Sequence, residues 1–121
     1  MAKILLVEDM KGVRESLEVI LSMAGHTVEM AENGKIGIEK LDASIELLIT
    51  DILMPETDGT EVVITSKEKY PQLPIIAVSA GGHGASAEQA LLVAAGKADA
   101  TLEKPFSKDE LLSAINKLLN Q

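Results

Sequence analysis

Cysteine and tryptophan are both absent from this 121-residue sequence, and the aromatic residues are only Tyr70 and Phe106. Without cysteine the chain has no disulfide framework and no thiolate for catalysis or metal binding. With so few aromatic side chains, the core has to be aliphatic. No apolar run is long enough to span a bilayer, and the amino-terminal segment 1–3 lacks the layout of a secretory signal. We therefore expect a soluble, cytoplasmic protein.

Basic residues are also in the minority, since 19 Asp and Glu stand against 11 Lys and Arg and give a formal net charge of −8. A surface of this charge repels phosphate backbones and anionic lipid headgroups, so the composition predicts that neither nucleic acid nor membrane is bound directly. The length fits one domain, residues 1–121, with one proper core. No linker, repeat or low-complexity tract divides it.

Short apolar runs alternate with helix-like stretches from end to end. The runs at 4–7, 27–31, 47–50, 75–78 and 98–102 are typical of strands. Helices are predicted at 13–24, 35–41, through 62 to about 70, at 85–95, and after a capping box formed by Ser107 and Glu110. Five strands and five helices in strict alternation predict a doubly wound α/β fold, (βα)5, with a parallel sheet covered on both faces.

Charged and polar residues follow four of the five predicted strands. Strand one is followed by Glu8 and Asp9, while strands three, four and five lead to Asp51, Ser79 and Lys104. Open α/β sheets bind ligands at the carboxyl ends of their strands, so we expect these groups to converge. Clustered carboxylates repel unless a cation neutralises them, and an all-oxygen ligand set favours Mg²⁺ over zinc. Taken alone, Asp9 is also a candidate helix cap and Lys104 a solvated surface lysine.

These segments resemble the receiver domains of bacterial two-component response regulators. The matching stretches are ILLVED at 4–9, DILMP at 51–55 with Asp58-Gly59, VSA at 78–80 and LEKPF at 102–106. The resemblance covers essentially the whole chain. It implies a flavodoxin-like sandwich with strand order 2-1-3-4-5, and a stand-alone receiver domain, similar to chemotaxis regulators, with no output domain. It further implies a signalling switch rather than an enzyme.

The resemblance also implies how such a switch works in phosphorelay signal transduction. Asp51 accepts a phosphoryl group from a phosphohistidine of a sensor histidine kinase or phosphotransfer protein. Asp9 and Asp51 bind Mg²⁺ directly with the backbone carbonyl of Leu53, and Glu8 acts through a bound water. Lys104 contacts one phosphoryl oxygen.

Further residues are implied as parts of the conformational switch. Ser79, with the amide that follows Asp51, contacts another phosphoryl oxygen, and Pro105 follows a cis peptide bond. The loop 81–84 and the helix after it move, and a face made by the fourth helix, the fifth strand and the fifth helix binds an unidentified downstream protein. The family carries Tyr or Phe where this chain has Thr101. Either Thr101 makes a weaker version of the usual aromatic rotation, or the signal travels through backbone and helix shifts.

Three other functions are considered. A phosphohydrolase of the haloacid-dehalogenase type needs a second aspartate two residues after the nucleophile, where this chain has Leu53. A flavin-binding flavodoxin needs a hydroxyl-rich phosphate loop and aromatic side chains, and neither G-x-G-x-x-G nor a P-loop is present. A pseudo-receiver, a non-switching protein-binding module of the same fold, stays open because of Thr101.

Overall fold

Five parallel strands form the centre of the computed structural model, which describes residues 1–52, 59–79 and 97–120. They are β1 (Lys3–Val7), β2 (Thr27–Ala31), β3 (Leu47–Asp51), β4 (Ile75–Ser79) and β5 (Ala100–Glu103). All neighbours pair in parallel, in the order β2-β1-β3-β4-β5. This confirms the predicted α/β class and strand order. The last strand begins two residues later than the sequence pattern indicated.

The described part of the chain has four helices: α1 (Lys11–Met23), α2 (Gly34–Lys40) and α3 (Gly59–Lys69), which lie between strands, and α4 (Lys108–Leu119), which follows β5. The helix α4 is the last of the predicted helices, because the one predicted at 85–95 lies outside the described residues. It opens with the predicted capping box, in which Ser107 and Glu110 bond reciprocally. The helix α1 ends just before Gly25, whose φ of 94° suits a glycine.

The core consists of two aliphatic layers, one on each face of the sheet. The largest fully buried side chains are all leucine or isoleucine, as the shortage of aromatics predicted. Leu17 and Leu21 of α1 and Leu111 and Ile115 of α4 fill the layer on one face. On the other face, the layer includes Val62 and Val63 of α3 and is flanked by side chains of α2. Strands β3 and β4, covered on both sides, are buried at every residue.

The register of the sheet brings the carboxyl ends of four strands to one edge. Val7 pairs with Thr50, Asp51 with Val78, and Ser79 with Glu103. The residues that follow these pairs therefore meet at the same rim of the sheet. None of the described helices combines the length and the apolar composition that a membrane crossing requires.

Candidate functional site

Three carboxylates from two strand ends lie together at this rim. Glu8 and Asp9 follow β1, Asp51 ends β3, and one carboxylate oxygen of each lies within 4.8 Å of the others. Glu8 and Asp51 are only 2% and 6% exposed, and Asp9 is half-buried. Burial keeps water from screening the repulsion between these groups. The two aspartates are close enough to bind one ion, as the sequence analysis required.

The side chain of Lys104 enters the same cluster from the end of β5. Its Nζ donates to Glu8 Oε1 at 2.7 Å and to Asp51 Oδ2 at 3.0 Å. Its backbone N–H donates to the carbonyl of Ser79 at 2.8 Å, which ties the end of β5 to the end of β4. The following peptide bond, to Pro105, is cis as predicted. The alternative interpretation of Lys104 as a solvated surface lysine is therefore wrong.

The ionisation of the cluster reflects its burial. Burial raises the pKa of Glu8 above its usual value, and the charge of Asp51 acts in the same direction, although hydrogen bonds from Lys104 and the Met10 N–H oppose the shift. Burial acts to lower the pKa of Lys104, but its bonds and charge interactions with Glu8 and Asp51 outweigh this and raise it. One ammonium thus faces three carboxylates, and the remaining negative charge and hard oxygen atoms fit a divalent cation such as Mg²⁺.

The Glu8 side chain holds the loop between β1 and α1, and α1 begins without a side-chain cap. The N-cap residue of α1 is Met10, which makes no side-chain capping bond. Glu8 Oε2 accepts the N–H of Met10 at 3.2 Å. The interpretation of Asp9 as the cap of this helix is therefore wrong. Both oxygens of Glu8 accept hydrogen bonds within the protein.

Arg14 also contacts this loop, which the sequence analysis missed. Its Nη1 donates to the carbonyl oxygens of Glu8, at 2.8 Å, and Asp9, at 3.4 Å. The available signal was a basic residue about one helical turn beyond an acidic pair, close enough to fold back over it.

Ser79 is fully buried at the end of β4, and no group accepts from or donates to its hydroxyl within the described structure. A buried hydroxyl without a partner costs free energy, so such groups are uncommon and often mark ligand sites.

The amide that follows Asp51 was expected to contact a phosphoryl oxygen, but it is already hydrogen-bonded within the sheet. The Ile52 N–H donates to the carbonyl of Val78 at 2.9 Å and so continues the sheet ladder. In this structure it is not available to a phosphoryl oxygen.

The start of α3 packs directly onto the end of β3. The Gly59 N–H donates to the Ile52 carbonyl at 2.8 Å. A Cβ atom placed on Gly59 would lie 1.9 Å from the backbone oxygen of Asp51. Only glycine fits this approach, which confines the backbone that carries the Asp51 carboxylate.

The remaining predicted residues are separated from this cluster or lie outside the described residues. Thr101 lies on β5 opposite Ala77 with an exposed side chain, and Pro105 is exposed too. The predicted metal ligand Leu53 and the predicted moving loop 81–84 both fall in the segments that the structure does not describe.

Comparison with known proteins gives a consistent result. Residues 4–116 match the family model described as the response regulator receiver domain. The response regulator MprA of Mycobacterium ulcerans is 37% identical over 120 residues, which cover 98% of this chain and 50% of MprA. The transcriptional regulatory protein CpxR of Escherichia coli K12 is 34% identical over 121 residues, or 100% of this chain and 50% of CpxR. The chain spans about half the length of the curated relatives it matches.

Solved structures show the same architecture. The response regulator TrrA of Thermotoga maritima, crystallised in complex with Mg²⁺ and BeF, superposes with a TM-score of 0.85 at 33% identity, covering 98% of this chain and all of TrrA. A CheY-like receiver domain protein of Methanospirillum hungatei gives a TM-score of 0.90 at 28% identity, over 99% of this chain and 94% of that one.

Proposed function

The chain belongs to the response regulator receiver domain family, and on that premise we propose that it is a Mg²⁺-dependent phosphorelay switch with Asp51 as phosphoryl acceptor. One observation carries the proposal: carboxylates of Glu8, Asp9 and Asp51 lie within 4.8 Å of one another beside the Lys104 ammonium. Residues 1–121 act as one receiver domain. The phosphoryl donor is a phosphohistidine on a sensor histidine kinase or phosphotransfer protein.

In the proposed transfer, an Asp51 carboxylate oxygen attacks the phosphorus atom of the phosphohistidine. An O–P bond forms while the P–N bond breaks, the electron pair of that bond returns to the imidazole nitrogen, and solvent supplies the proton that completes the neutral histidine. The protein has little covalent chemistry of its own to perform in this transfer. It catalyses the reaction by positioning the phosphoryl group and by neutralising the negative charge of its oxygens. Lys104, already 3.0 Å from Asp51 Oδ2, neutralises phosphoryl charge. The Ser79 hydroxyl, which has no hydrogen-bond partner among the described residues, donates to a phosphoryl oxygen.

The carboxylates have the donor chemistry that Mg²⁺ requires, because hard oxygen atoms and an excess of negative charge are both present. Asp9 and Asp51 would hold the ion, with the Leu53 carbonyl as the third protein ligand. Both oxygens of Glu8 already accept hydrogen bonds, which supports an indirect role through water. When bound, Mg²⁺ supplies positive charge for the carboxylates and the phosphoryl oxygens. Protein residues do the rest: they orient Asp51 and donate from Lys104 and Ser79.

The output of the switch is a change in protein binding. Phosphorylation adds negative charge and acceptor oxygens beside Lys104 and Ser79, and the new bonds draw these two groups together. Ser79 ends β4 and Lys104 follows β5, so this side of the sheet transmits the change to a downstream protein. A net charge of −8 disfavours direct binding of this domain to nucleic acid. We place these events in the cytoplasm.

A non-switching binding module is the second candidate, because Thr101 replaces an aromatic residue and its side chain is exposed. The two candidates differ in one measurement. The protein is incubated with Mg²⁺ and either beryllofluoride or acetyl phosphate, and adducts are read by mass spectrometry and by NMR. A switch forms an adduct at Asp51 and shifts amide signals along β4 and β5.

The control variants are Asp51→Asn, which removes the acceptor, and Asp109→Asn, which removes the same charge from an exposed position in α4. We expect no adduct in the first and wild-type behaviour in the second. Absence of an adduct in the wild-type protein, or equal modification of Asp51→Asn, contradicts the proposed phosphoacceptor. Adduct formation without signal shifts beyond the site favours the non-switching module.

A further inference from the structure

Arg14 lies in the first turn of α1 but reaches backwards, to the end of β1. Its Nη1 donates to the carbonyl oxygens of Glu8 and Asp9 at 2.8 and 3.4 Å. Arg14 is half-buried, and its backbone N–H makes the ordinary helical bond to the Met10 carbonyl. Arg14 therefore binds the main chain of Glu8 and Asp9, which supply two of the three carboxylates of the acidic cluster.

Besides the two hydrogen bonds that the Glu8 carboxylate accepts, a backbone bond ties the loop that Arg14 contacts to the sheet. The Glu8 N–H makes the last bond of the β1–β2 edge, to the carbonyl of Ala31 at 3.0 Å. Beyond this point the chain leaves the sheet, and α1 starts without a side-chain cap. The loop also places two carboxylates side by side next to a third, and their repulsion favours spreading the loop apart.

We propose that Arg14 is a positioning residue for the metal site. By holding both carbonyl groups, Arg14 fixes the backbone of Glu8 and Asp9 and so keeps their carboxylates within the acidic cluster that would hold the cation. This inference rests on the proposed Mg²⁺-dependent function. It concerns a residue that touches neither cation nor phosphoryl group and acts only through Glu8 and Asp9.

The charge of Arg14 makes the inference testable, because charge and positioning have opposite effects. A guanidinium near a cation site repels the cation, so removing the charge alone strengthens Mg²⁺ binding. Removing the hydrogen bonds loosens the ligands and weakens binding. Lys11 offers the matched control, since it is an exposed basic residue in the same first turn of α1.

The experiment is a titration of the protein with Mg²⁺ in the absence of any phosphoryl donor. Calorimetry measures the affinity, and NMR monitors the backbone amide signals. The variants are Arg14→Met, Arg14→Lys and Lys11→Met. Loss of a group that orients metal ligands typically weakens the metal site by about tenfold or more, and we expect about tenfold for Arg14→Met. Lys11→Met binds Mg²⁺ as the wild type does or slightly more tightly. Arg14→Lys falls between, because an ammonium keeps the charge but not the planar donor geometry.

A second readout uses the metal-free protein. If Arg14 fixes the loop, the Met10 amide signal, which reports the bond to Glu8 Oε2, shifts or broadens in Arg14→Met and stays unchanged in Lys11→Met. If the wild-type protein binds Mg²⁺ and Arg14→Met binds it equally well or more tightly, the positioning role is overturned and the proposed function stays intact. A wild-type protein that binds no Mg²⁺ overturns the metal part of the proposed function, and the role of Arg14 with it.

Discussion

Gly59 is the position where one added methyl group should do the most damage to the site. A Cβ atom there would lie 1.9 Å from the Asp51 carbonyl oxygen, 2.5 Å from the Ile52 Cα and 2.8 Å from the Asp51 carbonyl carbon. All three are backbone atoms, so no side chain can rotate away. Because non-bonded heavy atoms settle at about 3.5 Å, α3 and β3 have to separate by about 1.5 Å in the Gly59→Ala variant.

The expected cost is at the upper end of the range for overpacking, about 3 kcal/mol, because only backbone movement relieves the contact. For a chain of this size, that corresponds to a drop in melting temperature of roughly 10 to 15 °C. The movement begins at Asp51, so the surviving folded protein should also lose reactivity toward acetyl phosphate. Urea unfolding followed by far-ultraviolet circular dichroism measures the first effect, since the chain has no tryptophan.

Gly12→Ala is the matched control. Gly12 lies in α1, and an added Cβ would meet nothing within 4 Å. The variant should gain about 0.5 to 1 kcal/mol, the usual preference for alanine over glycine in a helix. If Gly59→Ala unfolds at the same urea concentration as the wild type, the close approach of α3 to β3 is wrong, and with it the argument that Gly59 confines Asp51.

Two further predictions follow from pKa directions. Because the folded pKa of Glu8 is raised above 4.5, Glu8 contributes most to stability below pH 4.5 and loses that contribution as the pH rises through its folded value. Metal-free Glu8→Gln should therefore resist urea better than the wild type at pH 7 but not at pH 4, while its Mg²⁺ affinity falls; lower stability at pH 7 contradicts this. Burial and the amino-terminal charge lower the pKa of His26 below 6.5, although Glu46 opposes them, and His26 Nδ1 accepts the Ala2 N–H at 3.2 Å. The contribution of His26 to stability is present above pH 6.5 and is lost as the pH falls through the pKa of the folded protein. The difference in stability between the wild type and His26→Gln should therefore shrink between pH 7.5 and 5. A constant difference refutes the role of His26.

The parallel sheet and the position of the site show how much of this fold could be predicted from local sequence pattern. Apolar runs such as 47–50 and 75–78 are short, β-rich and regularly separated by amphipathic stretches, so local pattern alone indicated the parallel sheet. The position of the site followed from the same pattern, because parallel strands place all their carboxyl ends at one edge. The order 2-1-3-4-5 is different: it came from the family resemblance, since no local signal states which strands become neighbours.

Side-chain partners in the site could not be predicted to the same degree. Sequence spacing placed Lys104 and Glu8 at the same rim, but not the 2.7 Å bond between them, which depends on how far a flexible side chain extends. Arg14 was missed because helical periodicity assigns a residue to a face and says nothing about a side chain that folds back past the helix start. The Ile52 amide was assigned to the ligand, but the sheet ladder continues one residue further than the strand pattern indicated.

The charges of the site depend on the rest of the protein as well as on their mutual attraction. Burial raises the pKa of Glu8 despite the nearby ammonium of Lys104, so the folded chain carries this ionised carboxylate at a cost. The aliphatic layers on both faces of the sheet supply the free energy that keeps the carboxylates together. A cation that binds only the assembled cluster lowers this cost and stabilises the native state in proportion to the logarithm of its concentration. Stability and metal affinity are therefore coupled through the same oxygen atoms, and neutralising Glu8 should stabilise the metal-free fold at neutral pH while it weakens the proposed function.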